Sequence, residues 1–328
     1  MLQQRIQALI NLKEILSFDN KEFAAVAQRA EAENPWFTKE FIQRSVNNIR
    51  DSFLNENELI AFAGNYPVSE TIKNVGIVLA GNIPMVGMHD ILCGVLSGHQ
   101  LQIKVSSKDS VLIKFVIHQL QNNNQEMAEK LSIVEKLSNC DAYIATGSNQ
   151  SNVYFEQYFG KRPNILRKSR SSVAILDGTE SEEELIALGE DIHYYFGLGC
   201  RNVSKIYVPI SYDFKPLIES MKAYEYLANM HKYKNNIDYN LSLLLLNQQV
   251  YMSTQSLLLV EKESTHAAIS VVHYEFYNSA DEVRKTLNER EDVQAIVSHQ
   301  DIPFGAAQKP SLTDFADGVD TMQFLTNL

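Results

Sequence analysis

Apolar residues in this chain follow two different spacings. From the start to about position 60 they recur three and four apart, as Leu2, Ile6, Leu9 and Ile10 do in "MLQQRIQALINLKEIL", and the polar stretch from Asp51 to Glu58 breaks the pattern. This spacing predicts helices that pack as an arm. Beyond about position 70, short apolar runs alternate with helical spacing: "VGIVLAG" reads as a strand, Met85 to Leu96 as a helix, "LQIKV" as a strand, "VLIKFVIHQL" as a helix and "DAYIATG" as a strand. "NILR" and "SVAILDG" prolong the strand series. Strands that alternate with helices in this way predict a parallel sheet and an α/β fold. A second series opens near Gly178, where "TESEEELIALGEDIHYYFG" predicts a helix with a capped, acidic start. "KIYVP", "SLLLV", "ISVVHYEF" and "VQAIVSH" predict the strands of a second α/β lobe.

Composition narrows the function. The chain has 328 residues, 45% of them hydrophobic, enough for a sizeable core. Its formal net charge is -11 and its lysines and arginines are scattered, so no basic stripe is available for a phosphate backbone and no nucleic acid is expected as partner. Arg5, Lys13 and Glu14 interrupt the first apolar stretch, which therefore lacks the unbroken apolar core expected of a signal peptide, and no run is long and clean enough for a membrane span. Three cysteines without paired spacing fit a reducing, cytoplasmic setting and argue against disulfides and structural zinc.

Four stretches carry candidate chemistry. "FGLGCRN" sets Cys200 between Gly197, Gly199 and Arg201, where glycines admit a ligand and a guanidinium favours a thiolate; packing explains such a cysteine equally well on this stretch alone. Cys93 and Cys140 lie in apolar surroundings and read as core. In "VGIVLAGNIPMVG" a strand runs into Asn82, whose carboxamide stands at a strand's carboxyl end, either as an oxyanion donor or as a turn residue. "KVSSKDS" places Lys104 at the end of the next strand. "ATGSNQSN" places Gly147 and Ser148 at the start of a helix, where phosphate can bind. No histidine pairs convincingly with Cys200, and no cluster has metal-ligand spacing, so no catalytic metal is expected.

In this order and spacing the four stretches resemble the aldehyde dehydrogenase superfamily. Within it the chain is most similar to the acyl-CoA reductase family of the bacterial bioluminescence fatty acid reductases, from about residue 70 through the closing "PFGAAQKPSLTDFADGVDTMQFL". The resemblance implies an aldehyde dehydrogenase-like α/β fold: a cofactor-binding parallel-sheet domain with the helical arm at about 1–177, a catalytic α/β domain at about 178–300, and a tail at 301–328 returning over the cleft. It implies Cys200 as nucleophile, Asn82 as oxyanion amide, Lys104 as ribose-contacting lysine and Gly147 with Ser148 as the cofactor-binding turn. A homo-oligomer is expected.

Two departures shape the expected reaction. Oxidising relatives carry a glutamate base where "LRKSRSSVAIL" places Arg167, so water is poorly activated to cleave an acyl-enzyme, and the enzyme is expected to interconvert thioester and aldehyde. Arg167, like Arg201, is a candidate to favour the thiolate or to hold a substrate anion. NAD-preferring relatives carry an acid where this chain has Ser107, beside Lys108, so NADPH is expected, with NADH as the alternative. The expected substrate is acyl-CoA or another acyl thioester. Two rivals stand beside it: an acyl-phosphate reductase using Arg167, Arg170 and Arg201, and a catalytically silent assembly subunit.

Overall fold

The computed structural model describes residues 2–67, 69 and 71–328. The chain divides into two units, Met1–Ser169 with Pro310–Leu328, and Arg170–Lys309.

In the first unit the helical spacing becomes α1 (Leu2–Ile15), α2 (Lys21–Glu33), α3 (Lys39–Asn48) and α4 (Glu56–Gly64), with a π-helical turn at Ile49–Phe53. Asn20, Thr38 and Asn55 cap α2, α3 and α4 with side-chain oxygens, which is why each helix starts where it does. These helices are more than an arm. Leu9, Leu12, Phe23, Ile42 and Leu59 share one core with the strands.

That sheet comprises β1 (Asn74–Val78), β2 (Gln100–Lys104), β3 (Leu131–Ile133), β4 (Ala142–Thr146) and β5 (Asn164–Arg167), ordered β3-β2-β1-β4-β5 and parallel throughout. The crossovers run through α5 (Met88–Ser97), α6 (Ser110–Asn123) with α7 (Gln125–Lys130), and α8 (Asn149–Phe159). Only β3 lacked a sequence signal; three residues are too few to show alternation. Glycine is required at Gly98, which ends α5 with φ 77°: a side chain there would run into the Arg5 guanidinium.

The second unit carries β6 (Ser171–Ile175), β7 (Val203–Pro209), β8 (Met252–Ser253), β9 (Leu258–Glu261), β10 (Val271–Tyr277) and β11 (Val293–Val297), ordered β11-β6-β7-β10-β9-β8. Only β8 is antiparallel to its neighbour. On one face lie α9 (Glu182–His193), which has the expected capping box of Ser181 and Glu184, and α10 (Phe214–Met221). α11 (His231–Leu246) packs over β9 through Leu244, and α12 (Ala280–Asn288) covers the other face.

The boundaries differ from those expected. Ser171–Ile175 was assigned to the first series but pairs with β7 and β11, which moves the division to 169/170. All five of its residues are buried, with Val173 and Ile175 facing α12 and Ala174 and Leu176 facing α9, as a central strand requires. The expected tail also divides. Residues 301–309 stay with the second unit, while α13 (Thr321–Thr326) puts Met322 and Leu325 into the first unit's core.

Candidate active site

In the first unit the loops after β1, β2 and β4 leave the same edge of the sheet, because Val78 is in register with both Lys104 and Ala145. Asn82, Lys104, Ser107, Gly147 and Ser148 therefore converge on the carboxyl edge at the point where strand order reverses, the usual ligand crevice of an open parallel sheet. Lys104, Ser107 and Ser148 are exposed; Asn82 and Gly147 are partly buried. Ser148 caps α8, its Oγ accepting from Ser151 N.

The Asn82 loop is pinned on both sides. Ser45 Oγ donates to Pro84 O at 2.7 Å, and Met85 N donates to Asp109 Oδ2 at 2.7 Å. Met85 has φ 55°, which delays the start of α5 to Met88. Burial pushes the Asp109 carboxyl well above the ordinary range, against the pull of the Met85 N–H. Asp109 lies two residues beyond Ser107 and is 2% exposed.

Arg167 ends β5 and is 3% exposed. Its Nη1 donates to both oxygens of Asp90, at 2.8 and 2.7 Å, and its Nη2 to Thr321 Oγ1 at 2.8 Å. Asn152, a residue that sequence reasoning missed, holds the Arg167 carbonyl through Nδ2 at 2.7 Å. The guanidinium is committed to a buried ion pair. Thr321 and Asp90 thus occupy both terminal nitrogens of the guanidinium expected to hold a substrate anion or to favour a thiolate.

In the second unit Cys200 is partly exposed and stands at the second position of a turn closed by Asn202 N donating to Gly199 O at 3.2 Å. Ser172 Oγ, on β6, donates to Cys200 O at 3.1 Å. The turn is over-determined by Asn202, 2% exposed: its Oδ1 accepts from Gly199 N at 2.8 Å, and its Nδ2 donates to the carbonyls of Asp191 at 3.0 Å and Tyr194 at 2.8 Å. Just before it, Tyr195, Phe196 and Gly197 all take left-handed conformations, at φ 54°, 57° and 73°. Two buried aromatic residues in that region cost energy, and such strain persists where the surroundings enforce it. Cys200 therefore sits on a turn fixed from several sides, flanked by a partly buried Arg201.

The sequence model of the acyl-CoA reductase (LuxC) family matches residues 4–224, two thirds of the chain and the whole of this turn. The chain belongs to that family. A curated relative, the long-chain acyl-protein thioester reductase of Vibrio harveyi, is 24% identical over 180 residues, a stretch covering 49% of this chain and 36% of that protein. The match thus spans little more than a third of the relative's length. Aldehyde dehydrogenase 21 of Physcomitrella patens superposes over 91% of this chain and 74% of its own, with a TM-score of 0.68 and 12% identity. Glyceraldehyde-3-phosphate dehydrogenase of Methanocaldococcus jannaschii, solved with NADP, covers 90% of this chain and 76% of its own, with a TM-score of 0.65 and 13% identity. The fold is that of the aldehyde dehydrogenases, as the motif order implied.

One grouping in this LuxC-family chain escaped sequence spacing. Asp177, Glu180 and His299 bring ligand-type atoms within 4.8 Å of one another. They are held among themselves: Glu180 accepts from the N–H groups of Asp177 and Gly178, and His299 bridges Asp177 and Glu184 at 3.1 Å each. Among the described residues no helix is long and apolar enough to cross a membrane.

Proposed function

We propose that the chain reduces an acyl thioester to an aldehyde through an acyl-Cys200 intermediate. The observation that carries this reading is the Cys200 turn, partly open to solvent and fixed by Asn202 and Ser172. The thiolate attacks the acyl carbonyl, the new C–S bond forms, and the donor thiolate leaves. The family and the name of the Vibrio harveyi relative support acyl-CoA or an acyl-protein thioester as donor. Asn82 is assigned the oxyanion, with the Cys200 N–H beside it in role.

The carboxyl edge of the first sheet would hold a nicotinamide cofactor, whose hydride would add to the carbonyl carbon of acyl-Cys200; the C–S bond then breaks, the aldehyde leaves and the Cys200 thiolate is restored. Exposed Lys104 and Ser107, with the Asp109 side chain buried and accepting from Met85 N, fit a 2'-phosphate, which supports NADPH with NADH as the alternative. Gly147 and Ser148 take the phosphate-side turn. Arg167 stands at the end of β5 in place of the glutamate base, and the Asp90 carboxylate beside it is taken up by the buried ion pair, which supports slow hydrolysis of the acyl-enzyme. Three free cysteines support a reducing, cytoplasmic setting. Exposed Tyr239, Leu243 and Leu246 along α11 support self-association, which sedimentation of the purified protein tests.

The acyl-phosphate alternative loses support, because one of its three arginines is buried against Asp90. The deciding experiment is intact mass spectrometry of the unmutated protein and Cys200→Ala after mixing with a panel of acyl-CoAs without cofactor. A stable acyl adduct that maps to Cys200 and is lost in the variant is expected. Adducts of equal yield in Cys200→Ala overturn the covalent reading.

A further inference from the structure

Asp191 is a wholly buried carboxylate in the last turn of α9, and the proposed chemistry gives it no task. Its side chain reaches a segment far along the chain: Oδ2 accepts from Gly305 N at 2.7 Å and Oδ1 from Ala307 N at 3.0 Å. That segment is a tight turn, closed by Ala306 N on Pro303 O at 3.1 Å, with Gly305 at φ 80°. The main chain of the same residue serves the nucleophile turn, because Asn202 Nδ2 donates to Asp191 O at 3.0 Å while Asn202 Oδ1 takes the Gly199 N–H. One residue thus joins two irregular segments, 199–202 and 303–307, that share no secondary structure with each other.

Placing a carboxylate there is costly. Burial lifts its pKa to about 7 against the two N–H groups that lower it, Glu190 adding to the rise and Lys309 opposing it. A neutral amide would avoid that cost but offers a single acceptor to two converging donors, whereas a carboxylate satisfies both. Gly305 is as constrained on the donor side, since a side chain there would press on Ala187 of α9 at 3.0 Å and would strain the backbone.

We propose that Asp191 is a positioning residue for Cys200: by clamping the 303–307 turn to the end of α9 it fixes the carbonyl on which Asn202 holds the nucleophile turn. The inference rests on the reading of Cys200 as nucleophile. It extends that reading to a residue that touches neither substrate nor cofactor.

The test uses the full chain, with Asp191→Asn acting on the acceptor side and Gly305→Ala on the donor side, so that the failure of either variant to fold leaves the other to decide. Two readouts are taken: the rate of acyl-Cys200 formation across acyl-CoA concentrations, and hydrogen exchange at the amides of Gly199, Asn202, Gly305 and Ala307. Displacement of a reacting group by about an ångström costs roughly 10²-fold, so the maximal acylation rate should fall by about that factor with half-saturation unchanged. Exchange should quicken at all four amides. Quickened exchange at Gly305 and Ala307 alone, or acylation at the unmutated rate in a folded variant, overturns the proposal. Loosened Gly199 and Asn202 amides with no acyl-Cys200 in any protein, the unmutated one included, would remove the thioester reading and leave Asp191's hold on the turn demonstrated.

Discussion

Arg167 and Asp90 form a buried ion pair in which one guanidinium nitrogen meets both carboxylate oxygens, at 2.8 and 2.7 Å. The pair ties the end of β5 to the first turn of α5, and Thr321 joins α13 to it. Removing one member strands a charge in the core, whereas removing both leaves none. Arg167→Ala should therefore cost about 3–5 kcal/mol of stability, and Arg167→Met combined with Asp90→Leu much less. Urea unfolding of the three proteins measures this; a single mutant within about 1 kcal/mol of the unmutated protein would show that the pair is not structural.

Asn202 fixes the turn that carries Cys200, the proposed nucleophile. Asn202→Ala leaves the carbonyls of Asp191 and Tyr194 and the Gly199 N–H without this partner, and each buried polar group so stranded costs about 1–3 kcal/mol. Stability should fall, and acyl-Cys200 formation should fall further at temperatures where the variant is fully folded. Acylation that tracks only the folded fraction would reduce Asn202 to a helix cap.

For Asn82 two roles compete, and one measurement separates them. Asn82→Ala should slow acylation by roughly 10²- to 10³-fold, the usual loss for one oxyanion donor. Unchanged acylation with a lower melting temperature would assign it to the loop that Ser45 and Asp109 pin.

Cofactor preference tests the edge around Lys104. Ser107→Glu puts a carboxylate where a 2'-phosphate is proposed, so preference should shift from NADPH towards NADH. Equal use of the two cofactors before and after the change would place the ribose elsewhere.

His299 should make stability depend on pH. Its hydrogen bond to Asp177 raises the imidazole pKa, with Glu184 adding to the effect. Asp177, despite partial burial, is held low by bonds from Thr179 and His299. A base whose pKa is raised by folding stabilises fully below its unfolded pKa of about 6.5 and loses that contribution as pH rises through the folded value. Melting temperature should thus decline more steeply above pH 6.5 in the unmutated protein than in His299→Gln. Parallel declines would mean that the bridge contributes nothing.

Much of the molecule was legible from residue spacing. Apolar runs locate nine of the eleven strands among the described residues, all but the short β3 and β8, closely enough to imply two α/β lobes, and the Ser181–Glu184 capping box is readable as it stands. β6 was found as a strand but put in the wrong lobe, because a fully buried strand reads alike in either sheet and only its partners β7 and β11 differ. Glycines, amides and strand ends pointed to Cys200, Asn82, Lys104 and Gly147, since local backbone geometry demands particular residue types.

The occupations of the charged and amide side chains were not legible. Arg167 meets a carboxylate 77 residues away, Asp191 meets N–H groups 114 and 116 residues away, and Asn202 works on carbonyls from 8 to 11 residues upstream. Local pattern is written into the chain because each residue's backbone preference and its neighbours' spacing act within a turn or a strand. A buried polar group must instead be satisfied by whatever the fold brings beside it. The strands, their edges and the nucleophile candidate follow from sequence, while folding alone turns Arg167 from a candidate ligand into an ion pair and Asn202 from a bystander into the brace of Cys200.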